Sequence, residues 1–143
     1  MAGDIHALIR LKKFAVDEAR RALGELLAHE AELTRRQQAL EAGVRREQEL
    51  ASADPTGISA MAYGRFAESV VQDRARFAEA RRRIEAAIAQ QQDAVAAAFN
   101  EFKTAEILQR QRDRRAAYDR ARKEQVALDE IAAINHARRH AVA

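Results

Sequence analysis

The chain has no cysteine, no tryptophan, one proline and five glycines in 143 residues. Without cysteine there can be no disulfide framework and no thiolate metal site, which fits a reducing compartment. Five scattered glycines cannot form the clustered loop that cradles a nucleotide phosphate. Aromatic residues make up only 5% of the chain, and much of its apolar content is alanine, so there is too little side-chain volume for a thick core. No run approaches the roughly 20 apolar residues of a membrane span. The first residues, broken by Asp4, Arg10, Lys12 and Lys13, do not read as a secretory leader. The expectation is a soluble cytoplasmic protein.

What remains is helix former: alanine, glutamate, arginine, glutamine and leucine, with charged residues at 33%. That composition marks long helices or coiled coil. The single proline lies in Asp54-Pro55-Thr56-Gly57. Pro55 removes a donor and biases Asp54 away from helix, so a first helix must end at or before Asp54. Gly57 permits the positive φ of a tight reversal. Ser59, or Thr56, can cap the helix that follows.

A heptad runs through both arms. In the first, Ile9, Val16, Leu23, Glu30, Gln37, Val44 and Ala51 form one set of seam positions, and Ile5, Lys12, Ala19, Leu26, Leu33, Leu40 and Glu47 the other. In the second arm the sets are Val70, Phe77, Ile84, Gln91, Ala98 and Ala105, and Arg74, Arg81, Ile88, Val95, Phe102 and Gln109. Folding back at residues 54–57 would pair positions whose numbers sum to about 110, give or take four. Glu30 would then lie near Arg81 and Gln37 near Arg74, four polar seam residues meeting at matching heights as a register lock. The fold predicted is all-α: an antiparallel two-helix coiled-coil hairpin over residues 1–143 with a longer second helix. Helix 1 covers about 5–52, the turn 53–58, and helix 2 about 59–140.

Neither proline nor glycine occurs after Gly64. The second helix therefore overhangs the first by about 35 residues, roughly 50 Å. The whole net charge of +3 falls in residues 101–143, and from Gln109 to Lys123 seven basic residues face two acidic ones. Arg110, Arg112, Arg114, Arg115, Arg120, Arg122 and Lys123 admit three readings. They are a solvated face balanced by Asp113, Asp119 and Glu124, a phosphate-binding stripe, or a docking surface for an acidic protein partner. Tyr118 is the only aromatic there, and no groove-reading motif surrounds it. Near the turn, Leu40, Val44, Tyr63, Phe66 and Val70 either close the seam or anchor a partner.

No enzyme is legible, because two helices build no deep pocket for a catalytic constellation. His136 and His140 have the i, i+4 spacing of metal ligands, but only Glu130 or Asn135 is at hand as a third ligand. A solvated helix end suited to the helix dipole is the reading kept, with no metal and no cofactor. His6 and His29 stand alone and default to the surface.

In order and spacing the chain resembles the FliJ family, coiled-coil proteins of the flagellar type III export apparatus. The resemblance spans nearly the whole length. It rests on the opening Leu8-Ile9-Arg10-Leu11-Lys12-Lys13, a reversal ending Gly57-Ile58, and the spaced set Tyr63, Phe66 and Val70. Glu106, Leu108 and Arg110 follow on the second helix, then Asp129-Glu130 and Ala132. It implies an antiparallel hairpin similar to the stalk part of the F-type ATPase γ subunit, whose terminal end enters the hexameric ring of the export ATPase, FliI. It further implies contact with the export gate protein, FlhA, and escort of empty export chaperones. Such a protein takes no small-molecule substrate and meets the inner membrane only through its partners. In this frame the basic stripe becomes the ATPase contact, and Leu40, Val44, Tyr63, Phe66 and Val70 the gate contact. Alternatives are the similar stalk protein of injectisome secretion systems, or a structural or nucleic-acid-binding coiled coil.

Overall fold

The computed structural model describes residues 2–142 as two helices, α1 (Ala2–Ala53) and α2 (Ile58–Val142), joined by four residues. Uninterrupted stretches of alanine, glutamate, arginine, glutamine and leucine carry each helix, since these side chains lose little rotamer freedom in one. The two helices pack as an all-α hairpin, and their contacts fall into two units, one of residues 14–99 and one of residues 1–13 with 100–143.

The unit of residues 14–99 contains the turn. Helix α1 stops at Ala53, immediately before the Asp54-Pro55 pair. Gly57 has a φ of 77°, the left-handed conformation that lets the chain reverse. Asp54 is the cap. One carboxylate oxygen accepts the Thr56 N–H at 2.9 Å and the Thr56 hydroxyl at 2.7 Å, and the other accepts the Ser59 N–H at 2.9 Å. The expectation that Ser59 would cap α2 is therefore corrected: Ser59 lies inside the first turn and donates its amide. Thr56 contributes weakly, its hydroxyl oxygen accepting the Ile58 N–H at 3.4 Å. The carboxylate prevails because it is ionised and carries two oxygens, so it satisfies three donors at once.

Between the arms Val16, Val44, Val70 and Ile88 are buried, and Leu23, Leu26, Leu33, Leu40, Phe77, Ile84, Val95 and Ala98 are half-buried. Only Glu47 and Arg74 of the predicted seam in this unit are exposed. Among the described residues none is completely buried, as a seam one side chain thick requires. Each buried valine or isoleucine contributes roughly 1.5–3 kcal/mol, so stability is spread along the seam.

The polar seam residues meet, but in pairs that differ from the expected ones. Arg81 reaches Gln37 (Nε to Oε1, 3.2 Å) and Thr34 (Nη2 to Oγ1, 2.9 Å) instead of Glu30. Arg74 forms a two-pronged pair with Glu41, both contacts 2.8 Å, instead of reaching Gln37. Glu30 is half-buried and has no polar partner among the described residues. The cause is side-chain direction. Long helical side chains lean toward the N-terminus of their own helix. On α2 that direction leads toward the turn, so each arginine finds a partner nearer the turn than its Cα level indicates.

In the other unit, residues 4–13 of α1 lie against the start of the 100–142 stretch of α2. Ile5 and Ala105 are buried, Ile9 and Phe102 are half-buried. Lys12 Nζ donates to Glu101 at 2.8 Å, and the Gln109 amide lies 3.1 Å from His6 Nδ1. Beyond Gln109 this packing ends. Every residue from Arg110 to Val142 is exposed.

Candidate functional site

The exposed stretch 110–142 carries the basic residues singled out in the sequence. Arg110, Arg112, Arg114, Arg115, Arg120, Arg122 and Lys123 all face solvent. Of these only Arg110 makes an ion pair, with Glu106, and at 3.9 Å that pair is loose. Among the described residues no ion pair involves any side chain from Gln111 onward, which sets this stretch apart from the body of the chain, where Arg35, Arg36, Arg82 and Arg83 pair with glutamates one turn away. Its cations are thus free to meet an external partner.

Helical rotation of roughly 100° per residue sorts the stretch into two faces. One presents Arg112, Arg115, Asp119 and Arg122 between Leu108 and Val126, which is 50% exposed. It is a basic strip with an apolar residue at each end. The opposite face carries Ala117, Arg120, Glu124, Leu128 and Ile131. Leu128, Ile131 and Ile134 are each more than half exposed. On a helix with an internal mate these positions would be seam.

At the turn the residues expected to meet a partner are mostly interior. Val44 and Val70 are buried, and Leu40, Tyr63 and Phe66 are half-buried. The Tyr63 and Phe66 rings tilt against each other with centroids 6.1 Å apart, and the Tyr63 hydroxyl accepts the Gln48 amide at 3.0 Å. These side chains close the end of the seam, and Val44 and Val70 are not available to a partner. The apolar surface at this end is Leu50, Ile58 and Met61, exposed by 62%, 71% and 80%. The sequence did hold a signal for them, because none falls on a seam position of the heptad.

The Asp54 carboxyl is held far below its ordinary value of 3.8, chiefly by the Thr56 hydroxyl and then by the Ser59 and Thr56 amides. Glu41 is lowered mainly by its bond from Arg74. These are structural charges, one holding the turn and one joining the two helices.

His136 and His140 stack edge to face with ring centroids 4.3 Å apart. Among the described residues no group of three or more histidine, cysteine, aspartate or glutamate side chains could hold a metal ion. Among the same residues no helix is long and apolar enough to cross a membrane.

A family model described as "Flagellar FliJ protein" matches residues 1–141. No curated protein and no solved structure gives a significant match.

Proposed function

Since this chain belongs to the FliJ family of flagellar proteins, we propose that within the export apparatus it acts as a non-enzymatic, stalk-like linker between an export ATPase ring and the export gate. In this reading the chain works as a single hairpin. Its 110–142 stretch binds a FliI-like hexamer through Arg112, Arg115 and Arg122, with Arg110, Arg114, Arg120 and Lys123 adding to the field. The turn end meets a FlhA-like gate protein through Leu50, Ile58 and Met61, with half-buried Leu40, Tyr63 and Phe66 supporting that surface from behind. Escort of export chaperones, and a cytoplasmic place at the inner membrane held through these partners, rest on the family resemblance.

The observation that carries the reading is the length of α2. It outruns α1 by everything beyond Gln109, and among the described residues that surplus is exposed, basic and without ion pairs from Gln111 onward. A helix without an internal mate is only marginally stable in water, so a partner that covers it supplies order as well as contact. Arginine suits such a surface, because its planar fork pairs with carboxylates and its stem packs on apolar groups.

Reversal of Arg114, Arg115 and Arg122 to glutamate tests it. Co-elution with the ATPase should be lost while the circular dichroism stays helical. Undiminished binding would overturn the assignment of this stretch.

A further inference from the structure

The second face of the 110–142 stretch has an occupant that its own chemistry specifies. The geometry points to a second copy of this chain, paired antiparallel along the exposed part of α2.

Charge along the stretch is segregated. From Arg110 to Lys123 seven basic residues stand against two acidic, and from Glu124 to Ala137 three acidic residues stand against no lysine or arginine. Two copies laid parallel would put basic half on basic half. Laid antiparallel, each basic half meets the acidic half of its mate, and the twofold axis repeats every favourable contact. Side-chain size is divided the same way. Ala117 and Ala121 occupy the basic half of this face, and Leu128 and Ile131 the acidic half, with Ile134 at its edge. With a twofold axis near residue 122, Leu128 and Ile131 come within one turn of the mate's Ala117, whereas a parallel mate would leave the alanines facing a gap.

The charges on the face itself agree. Arg120 and Glu124 share this side of the helix and form no ion pair in the chain alone. With the twofold near residue 122, Arg120 of each copy meets Glu124 of the other. In a parallel pair Arg120 would face Arg120. Leu128 and Ile131, exposed by 60% and 55%, would then leave water together. This face is opposite the Arg112, Arg115 and Arg122 strip, so self-pairing does not rest on the ATPase assignment.

The test is sedimentation of the full chain at hundred-micromolar concentration. A species of twice the 16.0 kDa chain mass is expected, weakening as salt rises. One variant carries Arg114→Glu and Arg120→Glu. Another carries Glu124→Lys, Asp129→Lys and Glu130→Lys. Each alone should weaken self-association by at least ~tenfold, and an equimolar mixture should pair again. Leu128→Asp with Ile131→Asp should give single chains that remain helical over residues 2–110. Because the chain lacks cysteine, spin labels at Gln111→Cys are specific. They should lie about 35 Å apart in the antiparallel pair, against about 10 Å in a parallel one. A full chain that stays single at this concentration overturns the proposal. So does a pair indifferent to all three variants, or one with the short label distance.

Discussion

Arg81 on α2 donates from Nε to the Gln37 side-chain oxygen on α1 at 3.2 Å, and its Nη2 also reaches the Thr34 hydroxyl at 2.9 Å. One guanidinium thus ties two successive turns of the facing helix. A slip by one heptad would exchange these two acceptors for one acceptor beside an apolar residue, Glu30 with Leu27 or Glu41 with Val44, so the two-acceptor contact selects the register more than it adds stability. Arg81→Ala should cost about 1–2 kcal/mol in urea unfolding followed by circular dichroism. Arg81→Leu should recover most of that. If the alanine variant matches the parent, the register is set elsewhere along the seam.

The turn predicts a pH dependence whose sign follows from Asp54. Its carboxyl titrates far below the ordinary 3.8 because Thr56 and Ser59 donate to the ionised form. A depressed carboxyl stabilises the fold fully above its unfolded value, and that contribution is lost as pH falls toward the folded value. The melting temperature of the parent should therefore exceed that of Asp54→Asn by a constant margin at neutral pH. The margin should shrink below about pH 4. Glu41 and Glu79 are also lowered, by Arg74 and Arg82 respectively, so both proteins should lose stability in acid. A margin that does not change with pH would remove Asp54 from its capping role.

Burial separates two classes of apolar residue that the sequence does not. Ile88 is 8% exposed and belongs to the seam, whereas Ile131 is 55% exposed and belongs to none within the chain. Ile88→Ala should cost about 2–4 kcal/mol. Ile131→Ala, measured in dilute solution where the chain is single, should change unfolding by less than about 0.5 kcal/mol. Comparable costs would mean that residues 110–142 pack on something within the chain.

At the turn end, Ile58→Asp with Met61→Asp should leave the melting temperature nearly unchanged and weaken capture of the gate protein. Val44→Asp or Val70→Asp should instead unfold the end of the hairpin, because an unpaired charge would enter the seam. Full gate binding by the Ile58, Met61 variant would exclude this apolar surface.

The hairpin was legible from few residues. Pro55 and Gly57 located the reversal, and the heptad located the seam, since periodicity reports which face of a helix is buried. Two things were not legible. Polar seam partners depend on which way long side chains lean, which places Gln37 and Glu41, not Glu30 and Gln37, before Arg81 and Arg74. The outer surface at the turn depends on what the seam leaves over. Val44 and Val70 share their apolar character with Leu50 and Met61, and only packing separates an anchor from a core residue. The basic stretch beyond Gln109 was visible as composition, and its lack of an internal mate follows from the unequal lengths of α1 and α2.

Hydrogen exchange along the full chain, with and without the export ATPase and at a concentration where the chain is single, tests the role of the surplus helix most directly. Alone, amides of residues 110–142 should exchange far faster than those of 14–99, as an unpacked helix does. With the ATPase present, protection should rise by at least ~tenfold over 110–123 and leave 14–99 unchanged. Protection that appears only within 14–99, with 110–142 exchanging as before, would contradict the account.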